Sequence, residues 1–536
     1  MKSYSKYLFI PLLAFLLVPM SCTDSDLLNQ ENGNTVAAGA FWRNADDVSL
    51  AVNGMYHPIT NTFFWGRIVH TGAMLRSDVF NVRPFGPNTA MSHFAGEPGA
   101  ARWAIEIWQE PFVAIFRANS IIANANADNV PDQAQRDGFV GQAHFMRAFC
   151  YWYLVNLFGN VPLVTDAITG APEDNFFPAQ VSQAEVYNQI IADLTTAEGM
   201  LPEAWTGMDI GRPTKWSATA LKGKSYLYQG EWADAETALQ QVVSSGKYDL
   251  LPTSQYGDNF TEANENNVES VYELQFLGQE SFAWGVDIPN VGNMGNFHID
   301  YAPPTKSPDQ SHYVNSWVRE LFEANGETVR RDQTIAYDYP GSTGYGGVDF
   351  RTDFAADLAL ARAEVAGNPD EGVAPIPEID SVFTRKYAGM DIGTRDQVDF
   401  LGTNVGNNWR IIRYADVLLM LAEAKNELNK VSDAEGLVNQ VRMRAMVDPV
   451  SGLGQDAMRQ AIIDERVLEL TGEGHRFFDL VRWGLADDYL GANSLHGESP
   501  KSASGGVFVP NKHEFIWIPA SEIQANENLK QNDGYN

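Results

Sequence analysis

Two neighbouring segments near the C-terminus decide the fold: NWRIIRYADVLLMLAEAKNELNKVSDAEGLVNQVRMRA at 408–445 and AIIDERVLELTGEGHRFFDLVRWG at 461–484. Apolar residues recur in the first segment at intervals of three and four, which is typical of one face of a helix. Further apolar positions widen this stripe, so we expect a helix that is buried on two sides. The stripe consists of Ile411, Ile412, Ala415, Leu418, Leu419 and Ala422, widened by Val417 and Leu421.

A capping-box pattern marks the start of two predicted helices. Ser182 is followed three residues later by Glu185, and Ser432 is followed by Glu435. In this pattern each side chain satisfies a backbone donor that the first helical turn leaves without a partner. We therefore predict that helices begin directly after Ser182 and Ser432.

A shared spacing of small and apolar residues indicates a helical repeat. The offsets are those of a tetratricopeptide unit, in which small residues let two helices approach closely and stacked pairs bury a common core. The matching positions are Gly223, Ala235 and Leu239 in one pair and Ala422, Ala434 and Val438 in another. We predict a mainly α fold with four helix pairs: 44–56 with 103–127, 133–158 with 182–201, 214–229 with 231–246, and 409–429 with 432–446.

Helical periodicity fades between the third and fourth predicted pairs. Within 251–408, residues 268–276 alternate like a strand and residues 311–324 suggest one helix, but Gly, Pro, Asn and aromatic residues dominate the rest. A loop region of this length usually carries function. We expect it to form an irregular ligand subdomain with the loop-rich stretches 60–100 and 484–536, inside a single domain that spans 40–536.

Composition excludes several classes of protein. The chain has 536 residues, a formal net charge of −31 and 12% aromatic residues. This acidity argues against a nucleic-acid partner, because such proteins concentrate Lys and Arg. It also disfavours a polyanionic ligand. With Cys22 near the N-terminus and Cys150 inside a predicted helix, the sequence offers neither a disulfide framework nor a cysteine metal site.

The N-terminus resembles an export signal. Two lysines precede an apolar run at 8–18, which is too short to span a bilayer and suits a signal peptide over residues 1–21. Ser21-Cys22 then resembles a lipobox, so we predict lipidation of Cys22 and a flexible tether over 22–39. A plain secretory signal with an incidental cysteine is the alternative.

Three motifs carry a family resemblance. They are RYADVLLMLAEAKNEL at 413–428, ERVLELTGEGHRFFDLVRWG at 465–484 and FIWIPASEIQANENLKQNDGY at 515–535. Together they resemble the SusD/RagB family of Bacteroidetes. The resemblance implies a lipoprotein facing outward from the outer membrane, with a tetratricopeptide-like scaffold. It also implies capture of glycans, or of peptides in the RagB branch, for a TonB-dependent SusC-like transporter.

Loop aromatics are the candidates for glycan contact. Flat rings cover the apolar face of a sugar, while amides, carboxylates and Arg satisfy its hydroxyl groups. The family resemblance places the ligand surface in loops near 60–103 and 282–301. The predicted ligand-binding residues are Trp65, Arg83, Phe94, Trp103, Trp284, Asn296 and Tyr301. The tryptophans of predicted helices are assigned to packing: Trp108, Trp152, Trp216, Trp232, Trp317, Trp409 and Trp483.

No enzyme signature occurs in the sequence. Carboxylate pairs arise by chance among 68 acidic residues, and no zinc-protease, nucleophile-elbow, P-loop or EF-hand motif is present. Glu473, His475 and Asp479 form the one cluster that suggests acid–base or metal chemistry. Because Arg476 and Arg482 flank it, we predict a structural ion-pair network, with no catalytic residue, metal or cofactor.

The family resemblance, together with the loop aromatics, implies non-catalytic capture of an oligosaccharide at the cell surface. Overall acidity favours a neutral glycan such as a β-glucan, whereas Arg67 and Arg83 leave an acidic ligand open. The alternatives are a peptide-binding import lipoprotein, a scaffold that holds other proteins, and a glycoside hydrolase.

Overall fold

Most of the chain beyond residue 40 is described by the structure, a computed structural model. The described residues are 41–61, 64–66, 69, 75–82, 91, 93–95, 102–168, 176–276, 301, 312–342, 382–387, 406–496 and 506–535. Cys22 and the predicted signal peptide and tether lie outside them, as do Arg83, Trp284 and Asn296.

Helices dominate the described residues. In chain order they are α1 (Ala45–Thr60), α2 (Arg102–Asn124), α3 (Gln133–Phe158), α4 (Gln183–Met200), α5 (Lys215–Tyr228), α6 (Trp232–Ser244), α7 (Ser316–Ala324), α8 (Val329–Thr334), α9 (Tyr414–Glu427), α10 (Val431–Arg444), α11 (Gln455–Leu470), α12 (Arg476–Arg482), α13 (Ala486–Leu490) and α14 (Ala520–Ala525). None of them is long and apolar enough to cross a membrane.

The four predicted helix pairs are confirmed. α1 packs on α2, α3 on α4, α5 on α6, and α9 on α10. The pairs also contact one another in sequence, through α2 with α3, α4 with α5, and α6 with α9. Helix α11 then packs on both α9 and α10. The stack therefore continues across the long loop region and brings the C-terminal helices against the third pair.

The repeat depends on a close approach at Gly223. A Cβ atom built on this glycine would lie 2.7 Å from the Cγ of Leu239 on the partner helix. Ala422, Ala434 and Val438, at the matching positions of the fourth pair, are fully buried. Small residues thus set the spacing of the helices in both pairs, as the sequence predicts.

Eight short strands form four two-stranded antiparallel sheets among the described residues. The pairs are β1 (Phe80–Val82) with β5 (His312–Val314), β2 (Val161–Pro162) with β3 (Gln180–Val181), β4 (Ser270–Leu274) with β8 (Trp409–Arg413), and β6 (Ile335–Ala336) with β7 (Phe383–Thr384).

Strand β8 corrects the predicted helix over 409–429, because α9 begins only at Tyr414. All five residues of β8 are buried, so the strand lacks the polar alternation that marks a half-exposed strand. In the sequence, its Ile411 and Ile412 therefore continue the spacing of three and four residues that is typical of a helix. The partner strand β4, which pairs Leu274 with Trp409, confirms the strand predicted near residues 268–276.

Two further boundaries differ from the predictions. Residues 312–314 form a strand, and α7 begins only at Ser316. Helix α10 begins at Val431 without a side-chain cap, and Glu435 instead accepts a hydrogen bond from the N–H of Gly452 at 2.8 Å. The capping box at Ser182 is confirmed. Glu185 forms the capping box with Ser182, three residues before it, whereas Glu435 forms its hydrogen bond with Gly452 in a different segment.

Candidate functional site

Aromatic rings from separate loop regions meet at Trp409. The centroid of its ring lies 5.6 Å from that of Trp65 and 6.2 Å from that of Tyr301. The ring of Tyr387 stacks on it at 3.9 Å with an interplanar angle of 14°. Trp65 also meets Tyr153 of α3 edge to face at 5.3 Å. These five residues are called the Trp409 cluster, and it joins both predicted loop regions to the helical stack.

The positions of Trp65 and Tyr301 differ from the expected open platform. Trp65 is 3% exposed and Tyr301 is fully buried. A ring that stacks on a sugar must present a face to solvent, and neither ring does so in this arrangement. Their contacts instead anchor the loops that carry them. Trp65 and Tyr301, one from each predicted loop region, both contact Trp409.

Phe94 is likewise buried, contrary to the expectation of an exposed ring. It is 8% exposed, stacks on His513 at 5.1 Å and meets Phe508 at 5.5 Å. The guanidinium of Arg76 lies 5.4 Å from its ring centroid. Burial, followed by the charge of Arg76, lowers the pKa of His513 to about 3. This ring therefore docks its loop on the C-terminal tail.

Trp103 remains a candidate for ligand contact. It lies in the first turn of α2, is half-buried and packs partly against the core. Arg83 follows β1 directly, and the last pair of β1 and β5 is Val82 with His312. The start of α2 thus positions Trp103, whereas Arg83 lies outside the described residues.

The tryptophans assigned to packing occupy two environments. Trp108, Trp152 and Trp409 are buried, which confirms their assignment, although Trp409 lies in a strand instead of a helix. The remaining four are half-buried: Trp216, Trp232, Trp317 and Trp483.

Glu473 of the predicted charged cluster is held between two cations. Its carboxylate accepts hydrogen bonds from Arg413 Nε at 2.6 Å and Lys386 Nζ at 2.7 Å. Burial opposes ionisation, but Arg413 and Lys386 keep the pKa of Glu473 below its usual value. Arg413 also binds Glu269 at 2.7 Å and Glu469 at 2.5 Å. This ion-pair network consists of Glu269, Glu327, Arg330, Lys386, Arg413, Arg442, Arg444, Glu465, Glu469 and Glu473.

Asp479 and His475 are also fully engaged in the interior. Asp479 accepts from Arg466 Nε at 2.8 Å and from Arg482 Nε at 2.9 Å. Burial, followed by the charge of Lys224, lowers the pKa of His475 to about 4. The imidazole is therefore neutral at neutral pH, and its Nδ1 accepts from Lys224 Nζ at 3.1 Å. The predicted structural ion-pair network is confirmed.

Glu265 is a carboxyl group with a pKa near neutrality. Burial raises its pKa to about 7, and it accepts the N–H of Asn408 at 2.6 Å. This hydrogen bond holds Asn408, directly before β8, and the Glu265 carboxyl is thereby occupied by a backbone N–H. Within the described ranges, no group of three or more His, Cys, Asp or Glu residues is arranged to hold a metal ion.

The anchoring role of Trp409 and Tyr387 is not evident from the sequence. Trp409 lies in a fully buried strand whose pattern resembles a helix, and Tyr387 lies in a short segment without periodicity. In the sequence, Tyr387 is marked by its position directly after two basic residues, Arg385 and Lys386. That signal points equally to an exposed binding loop.

Stacked helix pairs, with small residues at matching positions of the third and fourth pairs, define a tetratricopeptide-like helical-repeat protein. Its irregular segments are attached to the stack by buried rings and ion pairs. The SusD family model matches residues 216–535, which is more than half of the chain. A second family model, described as starch-binding associating with outer membrane, matches residues 95–227. The chain belongs to the SusD family.

Individual relatives align with the chain over most of their length. The chain is 26% identical to SusD-like protein P25 of Formosa agariphila, over 98% of each chain. It is 24% identical to the starch-binding protein SusD of Bacteroides thetaiotaomicron, over 74% of this chain and 72% of that one. A solved laminarin binding SusD-like protein is 27% identical with a TM-score of 0.69, and the match covers 92% of this chain and 100% of that one.

Proposed function

We propose that this protein captures an oligosaccharide or polysaccharide at the cell surface without cleaving it and passes it to a TonB-dependent SusC-like transporter. Membership of the SusD family carries the proposal. The names of relatives that bind starch or laminarin support glycan as the ligand class. The chain would reside on the outer membrane through a lipid on Cys22.

The Trp409 cluster supports a binding surface fixed before the ligand arrives. Trp65 and Tyr301 hold their loops against Trp409, and Tyr387 covers it. Anchoring of this kind reduces the entropy that binding would otherwise cost. Trp103, Arg83, Trp284 and Asn296 are the proposed contact residues.

A neutral glucan is the proposed ligand. The net charge of −31 disfavours attraction of polyanionic chains. In the described ion-pair network the guanidinium groups are already bound to carboxylates, as Arg330 and Arg413 illustrate. These cations are therefore not free to bind an acidic sugar.

Calorimetry of the mature chain against laminarin, starch, an acidic glycan and short peptides tests the proposal. Heat on adding a neutral glucan, without release of shorter products, is the expected result. Heat with peptides alone would favour a peptide-import role, and product release would establish a hydrolase. No heat with any ligand would contradict capture altogether.

Substitution of Trp284 and Trp103 by Ala tests the contact residues. Loss of a central aromatic contact costs about 2 kcal/mol or more, which corresponds to a Kd about thirty-fold weaker. Retention in a glucan affinity gel measures the change. Trp232→Ala is the matched control, because Trp232 is a half-buried tryptophan in α6. Unchanged migration of either test variant would remove that residue from the site.

A further inference from the structure

The residues directly before β8 are hydrogen-bonded to the stretch of chain around β4. The side chain of Asn408 donates to Glu273 Oε2 at 3.0 Å and accepts the N–H of Phe276 at 2.8 Å. The side chain of Asn407 donates to the carbonyl oxygen of Phe260 at 2.6 Å. Both asparagines are buried. The stretch around β4 therefore holds the start of β8 in place.

Three carboxylates converge on this short stretch. Glu262 accepts the N–H of Gly406 at 2.6 Å. Glu265 accepts the N–H of Asn408, also at 2.6 Å. Glu273, in β4, accepts from the side chain of the same Asn408. This group of five residues is called the Asn408 junction.

Among the described residues, Arg410 of β8 is the cation that faces these carboxylates. It is buried, and its Nε lies 3.2 Å from Glu273 Oε1. Its Nη1 donates to Asn407 Oδ1 at 3.0 Å and to the backbone oxygen of Asn408 at 2.7 Å. Glu265 forms no ion pair with a described residue, and its bond from Asn408 comes from a neutral N–H. Because like charges at one site oppose full ionisation, the junction favours the uptake of a proton.

Glu265 is the carboxyl of the junction best placed to take that proton. Glu262 is exposed to solvent, and Glu273 has Arg410 beside it, whereas Glu265 is half-buried. Burial raises the pKa of Glu265 to about 7 against the bond from Asn408 and the charge of Arg410, and the like charges of Glu273 and Glu262 add to the rise. A neutral carboxyl keeps an acceptor for the N–H of Asn408. Protonation therefore removes a like charge and preserves the hydrogen bond.

We propose that the Asn408 junction is a proton-dependent latch, which holds residues 406–408 while Glu265 is neutral and loosens when Glu265 ionises. Trp409 follows Asn408 directly, and its ring anchors Trp65 and Tyr301. Loosening of the junction thus reaches the residue on which both rings pack. This latch is a property of the fold and operates whatever the ligand is.

The sign of the pH dependence follows from the two states of Glu265. In the closed junction it keeps its proton up to about pH 7, whereas its ordinary pKa is 4.5. Between these values the closed form binds one more proton than the open form, so the equilibrium constant for opening rises about tenfold per pH unit. Outside the window both forms carry the same charge, and the dependence levels off. His475 acts on overall stability in the opposite direction, so local exchange is the appropriate measurement.

Hydrogen exchange of the mature chain across the window from pH 4.5 to 7 and above it, corrected for the intrinsic exchange rate, tests the latch. The N–H groups of Asn408 and Phe276 report the junction. We expect their protection to fall about tenfold per pH unit and to level off above the window. The N–H of Leu251 is the control, because it donates at 2.9 Å to Glu269, which is paired with Arg413, and its protection should not fall. Constant protection at Asn408 and Phe276, or a rise with pH, would overturn the proposal.

The Glu265→Gln variant identifies the titrating group. Gln keeps a carbonyl oxygen for the N–H of Asn408 and does not titrate. We expect protection that is independent of pH across the window and exceeds that of the wild type above it. Glu262→Gln is the matched control, because Glu262 also accepts a backbone N–H in the junction but is exposed, so the fall with pH should persist there.

Two results would overturn the assignment to Glu265: a fall that persists in Glu265→Gln, or one that disappears in Glu262→Gln. If Glu265→Gln does not fold, the wild-type profile still decides whether the junction opens as pH rises.

Discussion

The interior around α3 and the interior around α11 are built from different contacts. In α3, Phe145 and Phe149 lie against Tyr272 of β4 at 4.8 and 6.0 Å between ring centroids. In α11, the buried residues include Glu465 and Glu469, which pair with cations from other elements. Apolar rings thus dominate the contact of α3 with β4, although α3 also holds the buried pair of Arg147 with Asp193 of α4. Around α11 a network of ion pairs joins the irregular segments to the stack.

The positions in the chain of the residues that form the ion-pair network explain this difference. Glu269 lies just before β4, Arg330 lies in α8, and Lys386 follows β7. All three come from the region between the third and fourth helix pairs, and they reach residues of β8, α11 or the turn after it. Apolar burial is non-directional, but a hydrogen-bonded ion pair fixes one placement. We infer that directional contacts position the segments that periodic helix packing does not.

The largest effect is expected from Arg413→Ala. This change leaves the buried carboxylates of Glu269, Glu469 and Glu473 without their shared cation. Breaking a buried pair in this way costs about 3–5 kcal/mol. The free energy of unfolding, measured by chemical denaturation, should fall by that amount.

Arg459→Ala is the matched control for Arg413→Ala. Arg459 pairs with Glu427 and Asp456, but its side chain is 39% exposed. Solvent screening limits such a pair to about 1 kcal/mol or less. Equal losses in the two variants would contradict the distinction between buried and peripheral charges.

Acid should destabilise the protein through His475. Its pKa is lowered from 6.5 to about 4 in the fold, so between these pH values the unfolded chain binds more protons than the folded chain. The free energy of unfolding therefore falls as pH drops from 6.5 to 4, by about 2–3 kcal/mol from this residue. Denaturation midpoints across the window measure the slope.

The His475→Gln variant separates this contribution from others. Gln keeps an acceptor for Lys224 and does not titrate. The fall in the free energy of unfolding between pH 6.5 and 4 should then be smaller by about 2–3 kcal/mol. His513, whose pKa is lowered to about 3, and the buried carboxyls Glu473 and Asp479, whose pKa values are also lowered, still contribute. An unchanged slope would show that His475 is not the group responsible.

A smaller loss is expected from Gly223→Ala in the helical stack. The added methyl would lie 2.7 Å from Leu239 Cγ, and overpacking of this kind costs about 1–3 kcal/mol. Gly436→Ala in α10 is the control, since a Cβ there meets nothing within 4 Å. It should stabilise the helix by about 0.5–1 kcal/mol. Destabilisation by both variants to the same extent would contradict the proposed close approach.

Periodic packing was predictable from the sequence, and the attachment of irregular segments was not. The spacing that Gly223 shares with Ala422 predicted two helix pairs correctly, because i, i+3 and i+4 contacts are local. β8 was mistaken for helix, because a fully buried strand carries no alternation. The burial of Trp65 and Tyr301 was not predicted, because it depends on contacts with Trp409, which lies more than a hundred positions away in the sequence.

The ion-pair network was predictable only in part. Glu473 and Asp479 lie near arginines in sequence, so pairing was expected. Asp479 does pair with the nearby Arg466 and Arg482. The partners of Glu473, however, are Arg413 and Lys386, which come from distant segments. Sequence spacing alone does not show which cation meets which carboxylate, so the role of the network as an attachment for loops required the fold.

Hydrogen exchange in Lys386→Met tests the central claim most directly. The N–H of Arg385 donates to Thr334 O and that of Val314 to Val382 O, so both amides report the docking of residues 382–387. We predict faster exchange at these two amides, with unchanged protection in α3 and α5. The exposed-pair variant Lys247→Met should change neither region. Faster exchange throughout the helical stack, or no change at Arg385 and Val314, would contradict the claim that directional buried contacts fasten the irregular segments.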